Sequence, residues 1–144
     1  MRHDNRPDLE AAVAAAAVLR PELVPELVGA VSADDFTDAY CAAVFVAAVE
    51  VADPEADLGT AYGRVHDELR RRGVHKGPRD ALRLYALWTE QLHTRDAVVF
   101  AYGVRVAAER RRLEAVLVGA LASLDHQFPE QVRSRLRQVV GRAA

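Results

Sequence analysis

Lysine, cysteine and aromatic side chains are scarce in this sequence. The scarcity of lysine and of cysteine each excludes a feature of the protein. The single lysine, Lys76, is followed by Gly77 and Pro78. A phosphate-binding loop needs a serine or threonine after its lysine to hold magnesium, so we expect no ATPase motor in these residues. The single cysteine, Cys41, excludes an internal disulfide. Only 6% of the chain is aromatic, while 51% is hydrophobic, mostly Ala, Val and Leu at helical spacing, which predicts an all-α protein.

Long apolar runs are also missing. The longest run, Ala39 to Val49, is too short to cross a bilayer and predicts a buried helix instead. No basic-then-apolar signal opens the chain, so we expect a cytoplasmic protein with no membrane contact. With 144 residues the chain is long enough to bury a core without disulfides or metals.

Signatures of catalysis and metal binding are absent too. The sequence contains neither Gly-x-Ser-x-Gly nor His-Glu-x-x-His, and Cys41 lies in the most apolar run, where a thiol is typically inert. Three histidines, His66, His75 and His93, share no ligand spacing, so we expect them to be solvated surface residues. We therefore expect a protein that is not an enzyme and has no catalytic residue, cofactor or metal.

Proline, glycine and short polar caps divide the N-terminal part into helices. The third helix is predicted to start at a capping box in which Ser32 and Asp35 satisfy each other's backbone N–H groups. This third helix is expected to be the centre of a helical head over 1–93. In the fifth helix we expect Leu82, Tyr85, Trp88 and Leu92 to face inward, with Leu84 and Leu87 beside them. The other predicted ranges are 8–19, 22–31, 57–72 and 78–92.

The remaining residues, 94–144, are predicted to form a long helix and a returning helix within the same structural domain. The long helix runs from Thr94 to Asp125 and would be about 45 Å long, more than the width of a small domain. Pro129 starts a shorter helix that cannot cover it completely. We therefore expect a helical hairpin that self-associates into a dimer or a bundle. The predicted seam and dimer interface is Leu113, Val116, Leu117, Ala120, Leu121, Leu124, Val132, Leu136, Val139 and Val140.

Charge is divided unevenly along the chain. Residues 1–60 hold 12 acids and 3 arginines, a net charge of −9, whereas residues 61–144 hold 16 basic residues and 9 acids, a net charge of +7. The division favours internal or head-to-tail neutralisation over nucleic-acid binding. An alternative is a small helical DNA-binding regulator that uses Arg70 to Arg83, and another is a structural dimer without further partners. The candidate nucleic-acid contacts are Arg70, Arg71, Arg72, Arg110, Arg111 and Arg112.

The order of these features resembles the N-terminal domain of the DnaB-type replicative helicases of bacteria. The elements of that family follow one another in a fixed order. An opening helix and a proline come first, then an Asp-Phe element and an apolar helix. An Asp-led helix ending in Leu and Gly, a Tyr helix and an Arg-Arg-x-Leu stretch complete the order. Here the matching residues span 8–113. They are Leu9-Glu10-Ala11, Val18-Leu19, Pro21, Asp35-Phe36, Phe45 with Ala48-Val49, Asp57, Leu69 with Gly73, Tyr85, Phe100-Ala101 and Arg111-Arg112-Leu113.

The resemblance implies a role in DNA replication through protein contacts. In the family, C-terminal hairpins pair into dimers, dimers form a collar over the motor ring, and primase docks on the collar. The chain would then be a stand-alone or excised collar domain without the RecA-like motor. Its implied partners are a second copy of itself, the replicative helicase and primase. The sequence departs from the family pattern in having Cys41 where a histidine is usual and in lacking a glycine after Leu19.

Overall fold

The computed structural model describes residues 8–90, 95–123 and 129–143, and it confirms the predicted all-α class. Within those ranges the chain forms helices and no strand. Two short 3₁₀ helices, Pro21–Leu23 and Ala33–Asp35, separate the first three α-helices. The α-helices are α1 Leu9–Leu19, α2 Val24–Ala30, α3 Ala39–Val51, α4 Leu58–Arg71, α5 Pro78–Glu90, α6 Ala97–Ala122 and α7 Pro129–Ala143.

Aspartate caps start three of these helices. The carboxylates of Asp8, Asp38 and Asp57 accept hydrogen bonds from the backbone N–H three residues later, at 3.2, 2.8 and 2.9 Å. These bonds satisfy donors that the first helical turn leaves without partners. Gly73 ends α4 in the left-handed region at φ 72°, a conformation that side chains with a Cβ rarely adopt. The aspartate caps and Gly73 thus set these helix boundaries.

Two predicted helix starts need correction. The capping box of Ser32 and Asp35 is present, but it closes the 3₁₀ turn Ala33–Asp35, and α3 begins later at Ala39 under the Asp38 cap. The predicted second helix opens as the 3₁₀ turn Pro21–Leu23 before α2. Acidic residues stand at both places, and Pro21 opens the turn before α2. Such residues stabilise any first turn, whether or not it continues as an α-helix. Three predicted helix boundaries, Leu92, Thr94 and Asp125, lie outside the described residues.

The core of the N-terminal part is organised around α1. Every residue from 11 to 18 is buried, so this helix is covered on all sides. Alanine makes this possible because its small side chain lets neighbouring helices approach closely on all sides. α1 packs chiefly against α3 and also against α4. The start of α6 joins the same core through Ala97, Ala101 and Val104.

The inward face of α5 differs from the prediction. Leu84 is 1% exposed and belongs to the core, whereas Leu82 and Tyr85 are 67% and 51% exposed. Leu87 and Trp88 are half-buried. Apolar residues lie on both sides of this helix, so periodicity alone could not choose the buried one. The prediction that Leu82 and Tyr85 face inward was wrong.

The chain divides into two compact units, an N-terminal unit, Met1–Arg105, and a C-terminal unit, Val106–Ala144. The division falls inside α6, so this helix contributes its first turns to one unit and the rest to the other. In the part of the chain that the structure describes, no helix combines the length and the apolar character that a membrane span requires.

Candidate interaction surface

The C-terminal unit presents an apolar stripe on α6. Leu113, Leu117 and Leu121 are spaced four residues apart and therefore lie along one side of the helix. All three are exposed, Leu117 by 40% and Leu121 by 65%. Val116 is exposed beside them. We call Leu113, Val116, Leu117 and Leu121 the α6 stripe. Scattered exposed apolar residues are ordinary, but four on one helical side form a continuous patch.

The predicted interface residues fall into three groups. Ala120 and Val132 are buried within the single chain. The α6 stripe and Leu136 are exposed, and Val139 is half-buried. Leu124 and the side chain of Val140 lie outside the described residues. The single chain thus buries only two of the described positions, one on α6 and one on α7.

The structure adds two exposed apolar residues that the sequence prediction did not include. Val106 lies seven residues before Leu113, which places it on the same side of α6 as the stripe. Val118 is also exposed, and it stands three residues before Leu121, so it borders the stripe. The signal for Val106 was available in the spacing of α6. It was missed because the predicted stripe was counted only from Leu113 onward.

The first candidate nucleic-acid cluster, at the end of α4, is partly neutralised by a buried acid. Glu68 accepts hydrogen bonds from Arg71 Nε at 2.8 Å, from Arg71 Nη2 at 2.6 Å and from Arg72 Nε at 2.6 Å. These bonds lower the pKa of Glu68 to about 2. Two of the three arginines therefore share one carboxylate. Arg70 is exposed on the same last turn.

The second cluster lies on α6 within the C-terminal unit. Arg110 donates to Glu114 at 3.1 Å, one helical turn further on, and both side chains are largely exposed. Such a surface pair contributes little to stability because water screens it. Arg111 and Arg112 are exposed as well. The cluster forms a solvated charged region near the apolar stripe.

A surface depression lies along α7. It is lined by Pro129, Glu130, Arg133, Ser134 and Arg137. All five residues belong to a single helix, so they cannot surround a small molecule from several sides as an enzyme pocket does.

A polar cluster that the sequence analysis missed lies in the N-terminal unit. His75 was expected at the surface, but it is only 3% exposed. Its Nε2 lies 3.0 Å from the Tyr40 hydroxyl, and its Nδ1 lies 2.8 Å from Nδ1 of His66. The Arg83 guanidinium carbon stands 3.8 Å from the centroid of the Tyr40 ring. The expectation of solvated histidines was therefore wrong for His75, while His66 is half-buried.

Burial and neighbouring charge determine the titration of this cluster. Burial lowers the pKa of His75, the charge of His66 and that of Arg83 lower it further, and Asp80 opposes them. Burial also raises the pKa of Tyr40 to about 12. Both groups are therefore uncharged at neutral pH. His93 lies outside the described residues.

Cys41 is a buried free thiol. Burial raises the pKa of the Cys41 thiol to about 12, so it stays protonated and unreactive at neutral pH. Within the described residues, no group of three or more His, Cys, Asp or Glu side chains is arranged to hold a metal ion.

Comparison with known proteins identifies no relative on which a function could be based. The chain matches no protein-family model, no curated protein and no solved structure.

Proposed function

We propose that this protein is a non-catalytic, cytoplasmic interaction module that self-associates through its C-terminal unit. The observation that carries the proposal is the α6 stripe, whose four apolar side chains stay exposed in the single chain. Taking a leucine side chain from full exposure to full burial is worth about 1.5–3 kcal/mol, and each stripe leucine would gain the share of this that corresponds to its exposed part. Pairing two copies of the stripe would bury six leucines and two valines. That gain favours a homodimer or a small helical bundle.

Replication is the process that we propose for this module. The support is the resemblance of residues 8–113 to the collar domain of DnaB-type helicases, together with a helix order that fits it. Five helices precede the long α6, and α7 follows as a second C-terminal helix. We infer that the partners beyond a second copy are the replicative helicase and primase. The contact with them is made by protein surfaces and involves no chemistry on a substrate.

Charge substitutions in the stripe test self-association. We expect light scattering to give the mass of a dimer or larger assembly for the wild-type chain and of a monomer for Leu117→Asp and for Leu121→Asp. A carboxylate buried in an apolar contact without a partner costs several kcal/mol, enough to prevent pairing. Circular dichroism should show that both variants keep the helical content of the parent.

The matched control is Val28→Asp. Val28 is an exposed apolar residue of α2 in the N-terminal unit, and it receives the same change in charge. This control should keep the parent mass. The proposal fails if the wild-type chain is a monomer, or if both stripe variants keep the mass of the wild-type assembly.

A further inference from the structure

The buried histidine cluster joins three elements of the N-terminal unit by hydrogen bonds. Tyr40 belongs to α3, His66 to α4, and His75 to the segment 73–77 that links α4 to α5. The backbone of this segment is tied back to α4, because the N–H groups of Val74 and His75 both donate to the Leu69 carbonyl, at 2.9 and 3.1 Å. His75, which is buried, and Val74, which packs against the core, thus anchor the segment.

The hydrogen-bond pattern limits how many protons the two histidines can carry. In the neutral pair, one Nδ1 carries the proton and the other accepts it across 2.8 Å. If His66 is charged, its Nδ1–H still donates to a neutral His75, whose Nε2–H then donates to the Tyr40 oxygen. The cluster therefore accommodates one added proton without losing a hydrogen bond.

A second added proton cannot be accommodated in the same arrangement. Both Nδ1 atoms would then carry hydrogen and would face each other at 2.8 Å with like charges. Arg83, which lies over the Tyr40 ring, adds a further positive charge on the α5 side. Asp80 is the one acid of α5 that favours a charged His75, but its carboxylate already accepts from the N–H groups of Lys76 and Gly77, at 2.5 and 3.0 Å.

We propose that the His66–His75–Tyr40 cluster is a pH-sensitive latch, which holds segment 73–77 and the start of α5 in place and opens when the second proton binds. Opening withdraws His75 from its buried position and frees the Asp80 turn that begins α5. The rest of the helical core stays folded, because α1 and α3 pack directly against each other and most of the core residues lie outside the cluster.

The sign of the pH dependence follows from the lowered pKa of His75. Below the ordinary histidine pKa of 6.5, the closed state binds fewer protons than the open state. The latch is therefore closed above that value and weakens as the pH falls. One excluded proton raises the opening equilibrium about tenfold for each pH unit below the ordinary pKa.

Hydrogen–deuterium exchange measures this opening directly in the full chain. After correction for the intrinsic exchange rate, the amides of residues 73–77, 79 and 80 should exchange at least about tenfold faster at about pH 5 than at about pH 7.5. Amides of the buried α3 residues 44–48 should not accelerate with them. Equal protection of 73–80 at both pH values, or equal acceleration throughout the chain, would overturn the proposal.

His66→Asn is the deciding variant. The asparagine amide cannot take up a proton, and its oxygen can accept from a protonated His75, so the conflict between two Nδ1–H groups disappears. The acid acceleration at 73–80 should then be lost, whereas the control His126→Asn, 60 residues further along the chain, should retain it. If His66→Asn keeps the acceleration, burial alone explains the pH dependence and the latch is excluded.

An NMR titration of the wild-type ring nitrogens gives a second test that needs no variant. The His75 ring should become charged only as the segment opens. Protonation of His75 while residues 73–77 stay protected from exchange would contradict the proposal.

Discussion

Glu68 is a buried carboxylate whose role is to hold the end of α4 together. Its oxygens accept three hydrogen bonds from Arg71 and Arg72, and these bonds lower its pKa to about 2. We expect Glu68→Gln to lower the urea midpoint of unfolding at about pH 7, because a neutral amide bonds less strongly to guanidinium groups. Urea titrations of both proteins measure this difference.

The same substitution predicts a pH window. A carboxylate whose pKa is lowered on folding contributes its full stabilisation above its ordinary value of 4.5 and loses it as the pH falls toward about 2. The difference in urea midpoint between the wild-type protein and Glu68→Gln should therefore shrink over that pH range. Glu114→Gln is the control, since Glu114 forms an exposed pair with Arg110. A difference in urea midpoint that does not change with pH, or an equally large change in midpoint for Glu114→Gln, would contradict this role of Glu68.

Single residues differ in how much of their role the sequence predicts. Asp57 and Gly73 were recognised at the ends of α4, because caps and left-handed turns depend on residues close in the chain. The burial of His75 was not recognised. It depends on Tyr40, 35 residues away in the chain, and on packing that places a loop residue in the core. A polar residue in a short loop gives no local signal of such a position.

The two sides of α5 provide a test at the level of a helix. Leu84→Ala should destabilise the protein by about 2–5 kcal/mol, since it empties a fully buried site in the core. Leu82→Ala, on the exposed side of the same helix, should change the free energy of unfolding by no more than about 0.5 kcal/mol. Urea unfolding of both variants gives the comparison. The reverse order would mean that the side of α5 predicted from the sequence is the buried one.

The sequence predicted which segments form helices better than it predicted which side of each helix is buried. The ranges of α1, α4 and α7 follow from proline, aspartate and glycine at their ends, which act locally. The buried side of α5 and the complete burial of α1 are set by neighbouring helices. When a helix has apolar residues on two sides, or is almost entirely alanine and valine, its periodicity no longer specifies a single buried side.

For the whole molecule, the apolar stripe and the division of charge suggest two modes of association. The opposite net charges of residues 1–60 and 61–144 favour head-to-tail attraction, which salt weakens. The α6 stripe offers a contact between apolar surfaces that salt does not weaken. Glu68 also reduces the charge that Arg71 and Arg72 present to outside partners. The stripe is therefore the stronger basis for a specific assembly.

The proposed link to replication predicts a measurable complex with primase. Mixing the purified chain with the C-terminal domain of primase from the same cell should raise the mass measured by light scattering above that of either component. A collar domain acts as a docking platform, so we expect the self-associated wild-type chain to bind and Leu117→Asp, as a monomer, to bind more weakly through loss of the paired platform. Val28→Asp should bind like the wild-type chain. An assembled wild-type chain that gains no mass would remove primase from the proposed partners and leave the replicative helicase as the partner to test.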